Sequence, residues 1–570
     1  MKKIMGKKDW GLTLTAAGLA ASVIAASGGC GGSSSSTKNA KINGNYNIMF
    51  VITDQEHFFQ NYPAGTSYKA REMLKAMGTT FEKHYACSNM STSSRSTMFT
   101  GTHITDTGMI DNTDFKWQDA MDDTLVTIGD RMREAGYYTA LKGKWHMAKG
   151  TSVVDDGSSG ETLNTLEGYG FADWGGEDYI GKAQEGYNID PEIVEQAIDW
   201  LGSTGKKQNA EGKPFFLAVT LINPHDIMGY TSDETFKSPT GLATAGKPDS
   251  EVYNKTYSEP ISSTWNQDQT DELKAIQMYR HNWELIAGKI SDAATWKDFQ
   301  DYYFNCIQDS DNNLMKLLEY LDKNGMMDNT IIVFTADHGE MHSSHGLKGK
   351  GSFIYENNIH VPLIIYHPDY PRGRTVAAVT SHVDLAATFV DMANLTAEKK
   401  AEIGKGIRGN SLMPLMKDPK SSVRDGALFC YEMFSMSAPL TEVNKGGVTY
   451  MYDFNDDQIV RGMARGLITA DGYKFIRYFH PKEFHKPVTF DELIASNDVQ
   501  LFNLKDDPNE EKNLASAENQ GANKAKIEEL NGKLNTLIGK EIGEDTGAEV
   551  KHALAVSEVL KEKLKELRNM

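Results

Sequence analysis

IIVFTADHGEMHSSHGLKGK, Ile331–Lys350, opens as an apolar β-rich run and stops at an Asp–His pair, after which come three Gly, two more His and two Lys. A run of roughly four to eight β-branched and aromatic residues bounded by Gly reads as a buried parallel strand. Ligands in open α/β sheets sit beyond the carboxyl ends of such strands. Asp337 and His338 are therefore presented where chemistry occurs, and a carboxylate beside an imidazole suits a divalent metal. His345, Lys348 and Lys350 would add positive charge for an anionic substrate. His342 lies in the same loop without an assigned role.

Asn47–Asp54, NIMFVITD, repeats the pattern and is followed by Gln55, Glu56 and His57. A lone strand-end Asp is ordinarily a cap or a turn residue. Two of them, Asp54 and Asp337, can meet on adjacent strands around one cation.

Outward from these strands the chain reads as α/β, with a large mixed, mostly parallel central sheet flanked by helices. Tyr137–Leu141 and Phe215–Ile222 read as strands, and Thr124–Ala135 and Asn305–Asn324 as helices. Residues 229–291 are polar and aromatic without clean alternation, as expected of an insertion that shapes a substrate pocket. From Arg424 the strands shorten, for example Lys474–Tyr478 and Gln500–Asn503, which predicts a smaller α+β part with an antiparallel sheet. The tail, Ile527–Met570, reads as a charged helix pair without chemistry. The expected division is 44–420 catalytic and 421–570 C-terminal.

The chain has 570 residues, 39% of them hydrophobic and 10% aromatic, enough to bury a large core. Its formal net charge of −19 excludes a general nucleic-acid or polyanion binder. An anionic substrate would need a local basic pocket.

The first residues have the layout of a secretory signal. Lys2, Lys3, Lys7 and Lys8 precede an apolar stretch from Gly11 to Ala26, and small residues lead to Cys30. Residues 1–30 thus resemble a bacterial lipoprotein signal ending at a lipid-bearing Cys30, although Ser27 stands where that motif has Leu. Residues 31–43, with the GGSSSS tract, form a tether. Export across the inner membrane and anchoring in the cell envelope, periplasmic or surface side, are the corresponding expectations. Contact with the membrane is expected only through that lipid. Cys87, Cys306 and Cys430 are widely spaced and imply no disulfide framework.

Ser91–Gly101, STSSRSTMFTG, places a hydroxyl and an Arg four residues apart, one helical turn on one face. This stretch resembles the signature of sulfatases in the alkaline phosphatase superfamily: Cys or Ser, any residue, Pro, Ser or Thr, Arg, and a Thr-Gly ending. Here it is Ser91, Thr92, Ser93, Ser94, Arg95, then Thr100 and Gly101. The register rejects Cys87 as nucleophile, because Ser91 rather than Arg stands four residues after it. GYYTALKGKWHMAKG (Gly136–Gly150), Asn223-Pro224-His225-Asp226, TADHG, YENNIHVPLII and LFNLKDDPNEEKNLA are similar to further family segments in family order, over residues 46 to 515.

The resemblance implies a sulfuric ester hydrolase. Ser91, Arg95, Lys144, His146, His225, His345 and Lys350 would be its catalytic residues. Asp54, Gln55, Ser91, Asp337 and His338 would hold one divalent metal, Ca²⁺ first, with Zn²⁺ or Mn²⁺ as alternatives. It also implies that position 91 is converted to formylglycine, whose hydrate attacks sulfur through one oxygen and expels sulfate through the other. A formylglycine-generating enzyme would then be a partner, and a sulfated small molecule or glycan the substrate.

Two departures stand out. Ser93 replaces the Pro of the signature, and Gln55 replaces the second Asp of the usual strand-end pair. The first opens an alternative in which unmodified Ser91 serves a phosphodiesterase, phosphonate hydrolase or phosphoryl transferase. A third reading, a sulfoglycan-binding surface protein without activity, conflicts with the retention of Asp54, Arg95, Lys144, His146, Asp337 and Lys350.

Overall fold

The computed structural model describes residues 41–569 apart from 150–153, 156–161, 164–165, 175–177, 237, 239–242 and 446–447. The signal reading with Cys30, and the tether as far as residue 40, lie outside the described residues.

Eight strands form the central sheet: β1 (Asn47–Asp54), β2 (Thr79–Tyr85), β3 (Tyr138–Gly143), β4 (Asp173–Trp174), β5 (Phe215–Pro224), β6 (Thr330–Ala336), β7 (Leu363–Tyr366) and β8 (Arg374–Ser381). Their order is β8-β2-β7-β6-β1-β5-β3-β4. Only β7 runs antiparallel to its neighbours β6 and β2. The other pairs are parallel. Every residue of β1, β5 and β6 is buried, which is why these strands read as continuous apolar runs. Alternate side chains feed two cores. Ile48, Phe50 and Ile52 pack on one face of the sheet, and Met49 and Val51 on the other.

Register positions the site. β1 pairs with β6 from Asn47 opposite Thr330 to Thr53 opposite Ala336, and the Asp337 amide continues the ladder by donating to the Thr53 carbonyl at 3.1 Å. The acids that end the two strands are therefore neighbours. On the other side of β1, Asp54 stands opposite Pro224, and Gly143 of β3 stands opposite Thr220 of β5. Asp54, Asp337, His225 and Lys144 thus leave four adjacent strands at one edge.

The expected helix Thr124–Ala135 is shorter, Ile128–Glu134, because Thr127 caps it in a capping box with Asp130. The expected helix Asn305–Asn324 is longer, Ala293–Lys323, capped by Asp292. Its second half packs Leu314, Leu317, Leu318 and Leu321 under the sheet, and its first half joins an aromatic cluster with Tyr230, Tyr253 and Tyr257. The 229–291 region is largely irregular where described but carries the helix Lys274–Ala287.

The C-terminal part is an antiparallel sheet ordered β9 (Gly426–Tyr431), β10 (Met463–Thr469), β11 (Tyr473–Phe479) and β12 (Asp498–Asn503). The helix Gln520–Glu541 covers one face through Ile527, Leu530 and Leu534. The other face, with Phe429, Tyr431 and Ile476, packs with Tyr85, Met341 and Phe353 of the larger part in a common core. Among the described residues, no helix is long and apolar enough to cross a membrane.

Candidate active site

Ser91 is the first residue of the helix Ser91–Thr100, and all ten of that helix's residues are buried. It follows the strand β2 and a short loop. A hydroxyl at a helix N-terminus faces free N–H groups, which favours negative charge there. Lys350 Nζ donates to Ser91 Oγ at 2.9 Å, and His338 Nε2 lies 3.0 Å from the same oxygen.

Arg95 lies one turn along and is wholly buried. Its Nε donates to Asp337 at 3.0 Å, one terminal nitrogen to Asp54 at 3.2 Å, and the other to the Lys144 carbonyl at 3.1 Å. Those bonds bind the two acids to each other, so Arg95 holds the carboxylates in place. Lys144 Nζ pairs with Asp54 at 2.8 Å. Lys350 Nζ also touches His338 Nε2 at 2.6 Å and Gln55 Oε1 at 3.2 Å.

The electrostatics follow from burial and crowding. Burial and the neighbouring Asp54 charge push Asp337 up to about 6. Burial opposes ionisation of Asp54 as well, but the charges of Lys144, Lys350 and Arg95 hold it well below the usual range. Burial brings Lys350 down to about 8 and keeps His338 and His225 well below the ordinary imidazole value.

Asp54, Asp337 and His338 present ligand atoms within 4.8 Å of one another. The tautomer of His338 fits a metal: its Nδ1 lies 3.1 Å from the Gly339 carbonyl, which can only accept, so the lone pair is on Nε2 and faces Ser91. Two hard carboxylates, an imidazole nitrogen and a hydroxyl make a coherent donor set for a divalent cation.

His225, after the cis Asn223–Pro224 bond, is buried, with an unpartnered Nδ1. Gly181 packs so tightly on its ring that a Cβ there would sit 2.2 Å from Cε1. His146 is buried in the left-handed region, at φ 60°. Its Nε2 lies 3.3 Å from Asp114, and the charges of Lys144 and Lys350 reach that same carboxylate.

Three sequence expectations meet different surroundings. His345 stacks on Tyr355 with ring centres 3.9 Å apart, and its Nδ1 pairs with Gln267 at 2.6 Å, so it packs the floor of its loop and does not join the Ser91 cluster. Lys348 Nζ donates to the carbonyls of Ala287 and Gly288, both at 2.7 Å, and closes the end of the Lys274–Ala287 helix. Gln55 is engaged at both ends, Oε1 by Lys350 and Nε2 by Glu340, which leaves it beside the candidate ligand group rather than within it. Cys87, Cys306 and Cys430 are free and buried. Asp114, Asp178 and Gly181 escaped sequence reasoning, since a loop Asp or Gly outside any recurrent spacing carries no signal.

Buried cations, paired acids and a helix-borne hydroxyl at the carboxyl edge of such a sheet suit displacement at a tetrahedral oxyanion, the chemistry of the alkaline phosphatase superfamily. Comparison with known proteins narrows the class. The family model described as Sulfatase matches residues 46–395, and one described as the C-terminal part of N-sulphoglucosamine sulphohydrolase matches 343–539. The chain belongs to the sulfatase family, whose members hydrolyse sulfate esters.

An N-acetylglucosamine-6-O-sulfatase of Bacteroides thetaiotaomicron is 26% identical over 422 residues, 66% of this chain and 72% of that one. Arylsulfatase K of Bos taurus is 24% identical over 480 residues, 82% of this chain and 78% of the relative. A solved structure in complex with its substrate D-glucosamine-2-N,6-O-disulfate superposes with a TM-score of 0.58 at 21% identity, over 88% of this chain and 99% of that one. The phosphonate monoester hydrolase of Agrobacterium radiobacter does so with 0.60 at 18% identity, over 87% and 96%. These two structural likenesses concern the fold alone.

Proposed function

We propose that this sulfatase removes sulfate from an amino-sugar ester of the glucosamine class, using the oxygen of residue 91 as nucleophile. The observation that carries the reading is the setting of Ser91 Oγ, 2.9 Å from Lys350 Nζ and 3.0 Å from His338 Nε2 beside the Asp54–Asp337 pair. The substrate class is supported by the names of the relatives, an N-acetylglucosamine-6-O-sulfatase among them.

Asp54, Asp337, His338 and the residue-91 oxygen would hold one divalent cation, Ca²⁺ first and Zn²⁺ or Mn²⁺ as alternatives, which when bound lowers the pKa of the nucleophile and neutralises a sulfate oxygen. Lys144 and Lys350 bind the remaining sulfate oxygens and offset charge that grows in the transition state. Arg95 keeps the two carboxylates at the spacing the cation needs. His225, neutral because of its burial, stands by the leaving group as a proton carrier. Conversion of residue 91 to formylglycine by a generating enzyme, and export to a lipid-anchored place in the cell envelope, belong to the same proposal and rest on the sequence.

Ser93, standing where the modification signature has Pro, favours a second reading: unmodified Ser91 acting on phosphate or phosphonate esters. One experiment separates the two. Protein isolated from its own host is digested, the peptide carrying position 91 is weighed, and sulfate release from glucosamine 6-sulfate is measured beside phosphate release from glucosamine 6-phosphate. A peptide two hydrogens lighter than the Ser form, with sulfate released faster, is expected. An unmodified Ser91 in an enzyme that prefers phosphate would establish the second reading.

A further inference from the structure

The chain returns past position 91 after the Ser91–Thr100 helix and then runs outward with aromatic side chains. Asn112 accepts the Thr92 amide at 3.3 Å, and the Thr113 amide donates to the Thr92 hydroxyl at 3.3 Å, so this loop touches the residue that follows Ser91. One residue on, Asp114 lies 3.3 Å from His146 Nε2 and keeps 41% of its side chain open to solvent, against 2% for His146. Asp114 therefore marks the rim of the site. Phe115 and Trp117 come next, both partly exposed, with the exposed Lys116 between them. Asp178 pins the turn that carries His146 by accepting the amides of Trp145 at 2.8 Å and His146 at 2.9 Å. Lys149, three residues further along that turn, donates to the Lys116 carbonyl at 3.5 Å. The two segments thus leave the site side by side.

The rings at this rim form one array. Phe115 and Trp117 stack with centres 4.6 Å apart and planes inclined by 20°. Tyr452 meets both edge-on, 6.4 Å from Phe115 and 6.3 Å from Trp117, and is itself partly exposed. It ends the hairpin of Leu440–Lys445 and Val448–Tyr452, so the C-terminal part supplies one wall. Buried bonds fix the group. Trp117 Nε1 donates to Asp111 at 2.7 Å, and the same carboxylate accepts backbone amides of Phe434 and Ser435 in the turn before the hairpin. Single exposed apolar side chains are ordinary, but contiguous rings at the edge of a polar pocket mark a binding surface.

The occupant follows from the chemistry of the site. The sulfate group belongs among the buried cations, and whatever bears it must leave the pocket toward the rim. A pyranose carries its hydroxyls around its edge and presents C–H bonds on its faces, which suit the negative face of an aromatic ring. We propose that Phe115 and Trp117, buttressed by Tyr452, form a stacking subsite for the sugar ring joined to the sulfated one, so that the preferred substrate is an oligosaccharide rather than a free amino-sugar sulfate. This proposal rests on the amino-sugar reading of the site. The rings position substrate and take no part in bond making or breaking. Because Asp111 and the hairpin hold them in place beforehand, little ordering is lost when the glycan arrives.

The test offers the full-length enzyme glucosamine 6-sulfate and a tetrasaccharide with the same sulfated residue at its non-reducing end. In the wild type kcat/KM should be about tenfold or more higher for the tetrasaccharide. In Phe115→Leu and Trp117→Leu, which keep apolar packing but remove a stacking face, that ratio should fall toward one, chiefly through KM. Saturation-transfer NMR on Ser91→Ala reads contact without turnover. It should show aromatic protons of the protein transferring to the C–H face of the ring beside the sulfated one, and less transfer when either Leu substitution is added. A ratio near one in the wild type, a ratio undiminished in both Leu variants, or no transfer to that second ring would overturn the proposal. Were both sulfate esters inert, the amino-sugar reading would fail, and the NMR measurement would still decide whether the rings seat a sugar.

Discussion

Asp111 is wholly buried behind the site, its carboxylate accepting Trp117 Nε1–H at 2.7 Å. Burial pushes its carboxyl up to about 7 against the opposing hydrogen bonds. An acid whose folded pKa is raised keeps its proton in the folded state while the unfolded chain has already lost its own. Stability therefore falls as the pH climbs from the unfolded value to about 7, and is level beyond it. Asp111→Asn removes this slope, so the variant should gain on the wild type between pH 5 and pH 8 by on the order of 2 kcal/mol. Denaturant melts of both proteins at the two pH values measure this, and a constant difference would refute it.

At the same scale, the places of Asp54, Asp337 and His338 were legible from strand ends and those of Ser91 and Arg95 from a one-turn spacing, whereas Lys144 and Lys350 were marked by the family resemblance. His345 was not, because its backbone turns to φ 55° in a loop and swings the ring onto Tyr355. Side-chain direction at a left-handed residue has no signature in an alternating or helical pattern.

Among the elements, the helix Ser91–Thr100 matters most, since it carries both the proposed nucleophile and Arg95. It ends at Gly101, left-handed at φ 73°, where a Cβ would meet the Ala386 side chain at 2.7 Å. Gly101→Ala combines a backbone penalty with an overpacked contact and should cost about 1–3 kcal/mol. Urea denaturation should show the loss, and a variant as stable as the wild type would mean that this helix end is looser than the structure depicts. The sequence announced this helix by the one-turn spacing of Ser91 and Arg95. It concealed the first three turns of the Ala293–Lys323 helix, whose Trp296, Phe299, Tyr302 and Tyr303 are buried against the irregular 229–291 region. When nearly the whole circumference is covered, no apolar stripe is left to read.

The whole molecule depends on its smaller sheet. Arg424, after the last helix of the larger part, donates to Asp384 Oδ2 at 2.9 Å and to Glu541 at 2.9 Å, and Glu541 pairs with His103 at 2.9 Å. These charges are buried, so deleting one partner strands the others. Arg424→Ala should cost about 3–5 kcal/mol. Calorimetry checks it, and a melting temperature within a degree or two of wild type would contradict a structural part for this network. The α/β class and the change to short strands after Arg424 were visible in strand length and spacing. The shared core of Tyr85, Met341 and Phe353 with Phe429 and Tyr431 was not, since contacts between distant segments leave no periodicity.

On the proposed reading, a cation-dependent nucleophile at position 91 hydrolyses sulfate esters. The most direct measurement follows an aryl sulfate and the matching aryl phosphate with protein made in its own host, before and after chelation, beside Ser91→Ala. Faster turnover of the sulfate, loss of activity on chelation, recovery with added divalent cation, and no activity in Ser91→Ala are expected. Undiminished sulfate hydrolysis by Ser91→Ala, or by the chelated enzyme, would contradict it.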